Sequence, residues 1–387
     1  MRSSTRSKHI VVLGDGILGA SVAHAAALRG ARVTVIGSGP DNGATWRSFG
    51  WLGAAQEVPD SYHRLRLLSL ARYREFAASP PYDSVVRFSG SLAWETDGGT
   101  VQLIQGADEI EGISETFHRL RAKGHSVESI DRSRALGLEP ALATDALPRD
   151  GILFARDEGW VDLPAYTGLL LAEVMGHGGA LVMDAGARVT ESGGRARAVL
   201  SDGTTVGGDE LVVAAGSETT ALLAAAGIAV PQRSTKAALL FTAPSSLQLR
   251  MLVRTPVGSL RPRPGGGAVV HTSVIEQALR PDPSGGFLVD DDSVNASLTD
   301  LTRLFAGGAP LRLDRVATGL RPIPGDGWSA VGQLQDLPGC WVAFSHSGAT
   351  LGPVFGDLLS EELLEPGYRS PLLDAYRPER FTVGADA

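Results

Sequence analysis

A single cysteine, Cys340, stands in the whole chain, so neither an internal disulfide nor a cysteine-held metal cluster can form. It sits in the apolar run Cys340-Trp341-Val342-Ala343-Phe344 and reads as a small core residue, not a reactive thiol. Also missing is any run near the roughly 18 apolar residues that a spanning helix needs. Positive charge is scarce: 35 Lys and Arg against 43 Asp and Glu give a net charge of −8, and no basic stripe offsets it. That balance argues against a nucleic-acid partner. The polar, basic start Met1 to Lys8 has the look of a secretory n-region, but the apolar run after it is broken by Gly14, Asp15, Gly16 and Gly19. The expected location is therefore the cytoplasm.

What the chain does have is glycine, 48 of them, with 22 prolines, scattered as turn punctuation among many short elements. Its 387 residues suit two closely packed domains. Ile10 to Leu13 reads as a buried strand, Ile17 to Arg29 as an alanine-rich helix and Arg32 to Ile36 as a second buried strand. Strand, glycine turn, helix, strand is a βαβ unit and implies a parallel sheet.

The turn itself is Gly14-Asp15-Gly16-Ile17-Leu18-Gly19. The first glycine allows the tight turn and the second lets backbone approach a pyrophosphate. The third brings helix and strand together, while Ile17 and Leu18 open the helix whose N–H groups and dipole face the phosphates. Such units carry an acid about 20 residues on, at the end of the second strand, for the ribose hydroxyls. Here that place falls at Gly37; Ser38 or the next acid, Asp41, is left to serve.

Farther along, Tyr62 to Ala78 has helical spacing (Leu65, Leu68, Ala71, Phe76) and a basic face, stopped by Pro80-Pro81. Val85 to Trp94 alternates like a strand, Gly112 to Lys123 is helical, and Pro164 to His177 forms a helix with proline near its start. Short strands follow at Ala180 to Met183, Ala187 to Val189, Ala196 to Leu200 and Leu211 to Ala215. Trp341 to Phe344 is a buried strand and Val354 to Leu364 a closing helix. Nucleotide-type features recur near the start, the middle and the end.

Three further stretches, taken with the glycine loop, resemble the D-amino-acid-oxidase-type flavoprotein family, which includes glycine oxidase, sarcosine oxidase and dimethylglycine dehydrogenase. Gly43-Ala44-Thr45-Trp46-Arg47-Ser48-Phe49-Gly50-Trp51 is similar to the segment beside the flavin. Asp157 to Asp162, continuing through Val189 to Ala214-Ala215-Gly216, resembles the middle portion, where a valine backbone meets adenine and an Ala-Gly turn meets the pyrophosphate. Gly319-Leu320-Arg321-Pro322, then Ser345-His346-Ser347-Gly348-Ala349-Thr350-Leu351-Gly352, resembles the closing turn over the flavin ring.

The resemblance implies a mixed α/β fold: a glutathione-reductase-like, Rossmann-type FAD domain with an inserted antiparallel-sheet substrate domain. Residues 1–60, 150–230 and 318–387 would form the FAD domain, and 61–149 and 231–317 the substrate domain. FAD would be held non-covalently. Arg47 takes the place of the histidine that links flavin in some relatives, and Cys340 does not match the linking cysteine of others. Gly14, Gly16, Ile17, Leu18, Gly19, Ser38, Thr45, Trp46, Arg47, Ser48, Val189, Ala215, Gly216, Ser347, Gly348, Ala349, Thr350 and Leu351 are the cofactor candidates.

Among residues for chemistry, Arg321 comes first, because a guanidinium fork matches a substrate carboxylate. His346 and Trp51 join it, with His63 and His271 as further cavity candidates and Lys236 as a strand-end charge. The implied reaction is hydride transfer from a carbon beside a neutral amine to flavin, giving an imine. The electrons would pass on to oxygen, as peroxide, or to another acceptor. Three alternatives stay open: oxidation of a hydroxy acid or biosynthetic intermediate, an NAD(P)-dependent dehydrogenase, and an FAD-bearing subunit without its own catalysis.

Overall fold

A computed structural model of the chain describes residues 7–39, 43–54, 58–95, 112–283, 285–308 and 310–381. The opening βαβ unit is present: strand β1 (His9–Leu13), helix α1 (Ile17–Leu28) and strand β2 (Arg32–Gly37). β1 is buried along its whole length, and α1 is buried on every side from Ile17 to Ala27. Its run of alanines makes sense there. The helix is wedged against the sheet and between helices Leu163–Gly176 and Gly348–Leu364, where larger side chains would hold the neighbours off.

β1 and β2 lie in a six-stranded sheet ordered Ala330–Gln333, Cys340–Phe344, Glu210–Val213, β1, β2, Ala180–Met183. All pairings are parallel except the first, which is antiparallel. Parallel strands need crossovers, so this sheet collects its members from the beginning, middle and end of the chain. Cys340 is fully buried in it, where burial pushes its thiol up to about 12.

The second large sheet has eight strands, in the order Leu313–Arg321, Thr235–Thr242, Ala268–His271, Gly258–Pro262, Leu252–Thr255, Ser91–Ala93, Ile152–Ala155, Val127–Ile130. Its pairings are antiparallel but for Leu252–Thr255 beside Ser91–Ala93. One of its faces packs on helices Asp291–Thr302 and Ser273–Ala278. The expected mixed α/β architecture is therefore present.

Several details differ from the sequence expectations. Ile152–Ala155 belongs to the eight-stranded sheet, so the chain crosses to the other body after 155 and not at 150. Helix α2 (Asp60–Ala77) packs against the closing helix Gly348–Leu364, so its buried face belongs with the first body. That face is Tyr62, Leu65, Arg66, Ser69, Leu70 and Tyr73, whereas Leu68 is 41% exposed and Ala71 faces water. Residues three, four and seven apart share one side of a helix, and Tyr62, Leu65, Ser69 and Tyr73 follow that spacing along the buried face while Leu68 and Ala71 lie off it. The stretch from Val85 to Trp94 is two strands, Val86–Arg87 and Ser91–Ala93, parted at Gly90.

Candidate functional site

Between the two large sheets lie two adjoining cavities. The smaller, of about 240 Å³, is walled by the glycine loop, the ends of β1 and β2, and Ala214 to Gly216. The larger, of about 930 Å³, continues from it under the eight-stranded sheet, with Ala237 to Leu239 and Thr318 to Arg321 overhead. Ser38, Ser48, Ala215, His346 and Ala349 line both.

At the smaller cavity, Gly14 has φ +126°, and a Cβ there would sit 2.3 Å from the Ala214 carbonyl oxygen. A Cβ on Gly19 would lie 1.9 Å from the Gly14 oxygen, so that glycine serves close packing and does not face the cavity. Gly14, Gly16, Ile17 and Leu18 do face it. Thr45 closes the loop from the other side, its Oγ1 accepting the Ile17 N–H at 2.9 Å. The result is a backbone-lined cradle at the N-terminus of a buried helix, which suits an anionic pyrophosphate.

The floor of the larger cavity is Ser347 with the first turn of the closing helix, Gly348 to Thr350, held from beneath by α2. Tyr73 donates to the Ala349 carbonyl at 2.6 Å, and Arg66 donates to Ser347 Oγ at 3.4 Å. A buried hydroxyl chain continues this support. Tyr62 Oη meets Ser329 Oγ at 3.0 Å, Ser329 meets Ser345 Oγ at 2.7 Å, and Ser345 Oγ accepts the Ser347 N–H at 3.0 Å. Every link fixes the angle at which the turn presents its backbone.

Trp51 is gripped at both ends. Its indole N–H donates to Glu158 Oε2 at 3.1 Å, and its carbonyl accepts from Thr350 Oγ1 at 3.2 Å. Glu158 also accepts from Ser91 at 2.6 Å and pairs with Arg254 at 3.2 Å, and the Arg254 guanidinium lies over the Trp51 ring at 4.7 Å. Arg254 and Glu158 are 3% and 5% exposed, so each charge depends on the other.

On the roof, Arg321 already has an anionic partner. It donates to Glu276, which also accepts from His271 at 2.9 Å, and to the Lys236 carbonyl at 3.1 Å. Burial alone would raise the Glu276 pKa, but its interactions with His271 and with the Arg321 guanidinium outweigh it and hold the carboxyl below its usual range. His346 sits below. Burial pushes its pKa down to about 4, helped by Arg321, Arg66 and Arg233, so its imidazole is neutral at ordinary pH.

A protein-family model described as FAD dependent oxidoreductase matches residues 9–362. The chain belongs to that family. It is 24% identical to a glycine oxidase of Geobacillus kaustophilus, across 93% of this chain and 94% of that protein. It is 27% identical to a D-amino acid dehydrogenase of Allorhizobium ampelinum, across 77% of this chain and 70% of that one. A shorter match, 30% identical, links 35% of this chain with 33% of a Rhizorhabdus wittichii D-amino acid dehydrogenase. Among solved structures, iminodiacetate oxidase from Chelativorans superposes with a TM-score of 0.75 at 21% identity, covering 95% of this chain and 98% of that one. L-amino acid deaminase from Proteus vulgaris gives 0.78 at 20%, covering 98% and 96%. At such identities these superpositions speak for the fold.

As a member of the FAD-dependent oxidoreductase family, the chain has a cradle of the right kind for its dinucleotide: phosphate-facing backbone at Gly14 to Leu18 and a larger, sheet-roofed chamber next door. Of the residues expected from sequence, Thr45, Gly216 and Gly348 line the smaller cavity, and Arg47, Trp51, Arg321, Ser347 and Thr350 the larger. Some expectations need correcting. Leu351 is fully buried in the core beneath the turn, and Val189 packs among Val11, Leu13 and Val213 while Ala185 and Ala187 form the cavity wall. Trp46 lines neither cavity; Lys236 stands near the start of strand Thr235–Thr242, in keeping with a strand-end charge, and its ammonium donates to the Leu279 carbonyl at 2.6 Å. His63 lies on α2 against His125, 3.2 Å away, and not in the chamber, whereas His271 does line it. Asp41 lies outside the described residues. Sequence reasoning missed Glu276, Glu158, Arg254 and Arg66; the last sits on the buried face of α2.

Proposed function

We propose that the protein oxidises the C–N bond of an amino acid or secondary amine in the larger cavity, with non-covalently held FAD. FAD, when bound, supplies the hydride acceptor. The residues named as cofactor-facing would hold it, with Gly14 to Leu18 at the pyrophosphate and Ser347 to Thr350 at the ring end. Arg66, buried against Ser347, favours negative charge at that end.

The observation that carries the reading is the charge of the chamber. Arg47, Arg66, Arg254 and Arg321 all line it, Arg254 and Arg321 each beside a carboxylate, and His346, which lines both cavities, is neutral. A partly desolvated, cation-lined cavity lowers the pKa of a bound ammonium, so the substrate nitrogen enters with the lone pair it needs as hydride leaves. No dedicated base is then required. Water hydrolyses the imine released, giving a carbonyl compound and ammonia or a smaller amine. With oxygen as acceptor the second product is hydrogen peroxide. The likeness to glycine oxidase over 94% of that protein supports oxygen, and the likeness to D-amino acid dehydrogenase over 70% of that one supports another acceptor.

In this reading Arg321 pairs with the substrate carboxylate, His346 offers a neutral polar group, and Trp51 forms a wall. The Arg321–Glu276 pair favours a second version, an amine without a carboxylate, because the cation is already neutralised. Aerobic incubation with D-amino acids, N-methyl amino acids, cyclic imino acids and matched hydroxy acids tests both. Peroxide together with an equal amount of ammonia or amine, or of cyclic imine from the cyclic substrates, is the expected result. Peroxide from hydroxy acids alone, with no nitrogen released, would overturn the proposal.

A further inference from the structure

The end of β2 carries Gly37 where a ribose-binding acid stands in the usual dinucleotide unit, yet the space beside it is filled by a carboxylate. A Cβ built on Gly37 would lie 2.4 Å from both Cγ and Oδ2 of Asp15, and 2.6 Å from its Cβ. Asp15 is the residue between the first two glycines of the loop. It is 8% exposed, it lines the smaller cavity, and its Oδ2 accepts the Gly39 N–H at 3.1 Å. Among the described residues, that amide is the carboxylate's one hydrogen-bond partner.

We infer that Asp15 is the ribose-binding acid of this chain, delivered from the glycine loop to the place that the strand end vacates. The two positions are exchanged as a pair. An acid at 37 would collide with Asp15, and glycine there makes room for it. The bond from Gly39 fixes one oxygen, leaving the carboxylate able to accept from the adenosine hydroxyls of FAD. Other acids at this cavity suit the task less well. Asp184 spends Oδ1 on the Gly186 N–H at 2.8 Å and Oδ2 on the Ser201 N–H and hydroxyl, both at 2.8 Å. Glu218 is exposed to water. The same carboxylate would repel a phosphate on the ribose, so the site should refuse dinucleotides that carry one.

The test uses apoprotein titrated with FAD by flavin fluorescence quenching, and with ADP and its 2′,3′-dideoxy analogue by calorimetry. Native protein should prefer ADP over the dideoxy form by about ten- to a hundredfold, the range for hydrogen bonds to a charged acceptor. In Asp15→Asn, an isosteric change, the preference should shrink to a few-fold and FAD binding should weaken by about ten- to a hundredfold. Riboflavin, which lacks the adenosine, should bind both proteins alike. The double variant D15G/G37E, which moves the acid back to the strand end, should regain the preference for the hydroxyls. Full discrimination retained in D15N would overturn the inference, as would an equal loss of riboflavin binding, which would mark Asp15 as a support of the loop.

Discussion

Glu276→Gln removes the negative partner of Arg321 while keeping the size of the side chain. Arg321, Glu276 and His271 are only 15%, 19% and 14% exposed, so solvent screens their interaction weakly. A charged hydrogen bond of this kind contributes about 1.5–3 kcal/mol, and two unit charges in contact near a surface attract by up to about 4 kcal/mol. A carboxylate ligand that uses Arg321 must displace or share with Glu276 and so loses part of that energy. Without Glu276, its affinity should rise by about tenfold to a hundredfold. The assay is perturbation of the flavin spectrum of the holoprotein by benzoate and by benzamide, which differ in charge and little in shape. E276Q should tighten benzoate and leave benzamide where it was. Equal shifts for the two, or no tightening of benzoate, would refute the view that Glu276 guards the cation over the chamber.

Glu158→Gln should destabilise the fold by about 3–5 kcal/mol, since it leaves Arg254 buried beside Trp51 without its counter-charge; urea unfolding of the holoprotein measures it. His346→Gln should flatten the acid limb of the stability curve. The folded pKa near 4 lies below the ordinary 6.5, so the unfolded chain binds more protons between those values, and the stability present above pH 6.5 is lost as pH falls towards 4. The difference should reach about 3 kcal/mol at most, and parallel acid limbs in the two proteins would contradict it. Arg321→Lys should raise KM for carboxylate-bearing substrates more than it lowers kcat, because a point charge replaces a planar fork.

Much of this was legible in the chain. The βαβ unit announces itself through a buried β-branched run, three glycines at fixed spacing and a helix too rich in alanine to face water. The segments at 43–51, 319–322 and 345–352 identified the other walls of the cavities because short backbone turns against a cofactor leave strict marks in sequence. The misreadings share a cause. Helical spacing puts Leu65, Leu68 and Ala71 together, yet only Leu65 is buried, and Tyr73 and Arg66 turn inward beside it to hold Ser347 and Ala349; polar anchors are chosen by partners hundreds of residues away. Glu276 and Glu158 went unseen for the same reason, since an acid's worth lies in the arginine it meets across the fold. Gly37 looked like a loss because the acid that answers it stands 22 positions earlier, in a loop read only for its glycines.

The most direct measurement is anaerobic mixing of the FAD-loaded protein with an amino acid and, separately, with its hydroxy counterpart, followed by absorbance. The account requires the visible flavin band to bleach with the amine-bearing compound at a rate that slows in acid, as the nitrogen becomes protonated. Flavin that stays oxidised against every amine, yet bleaches with dithionite, would contradict it.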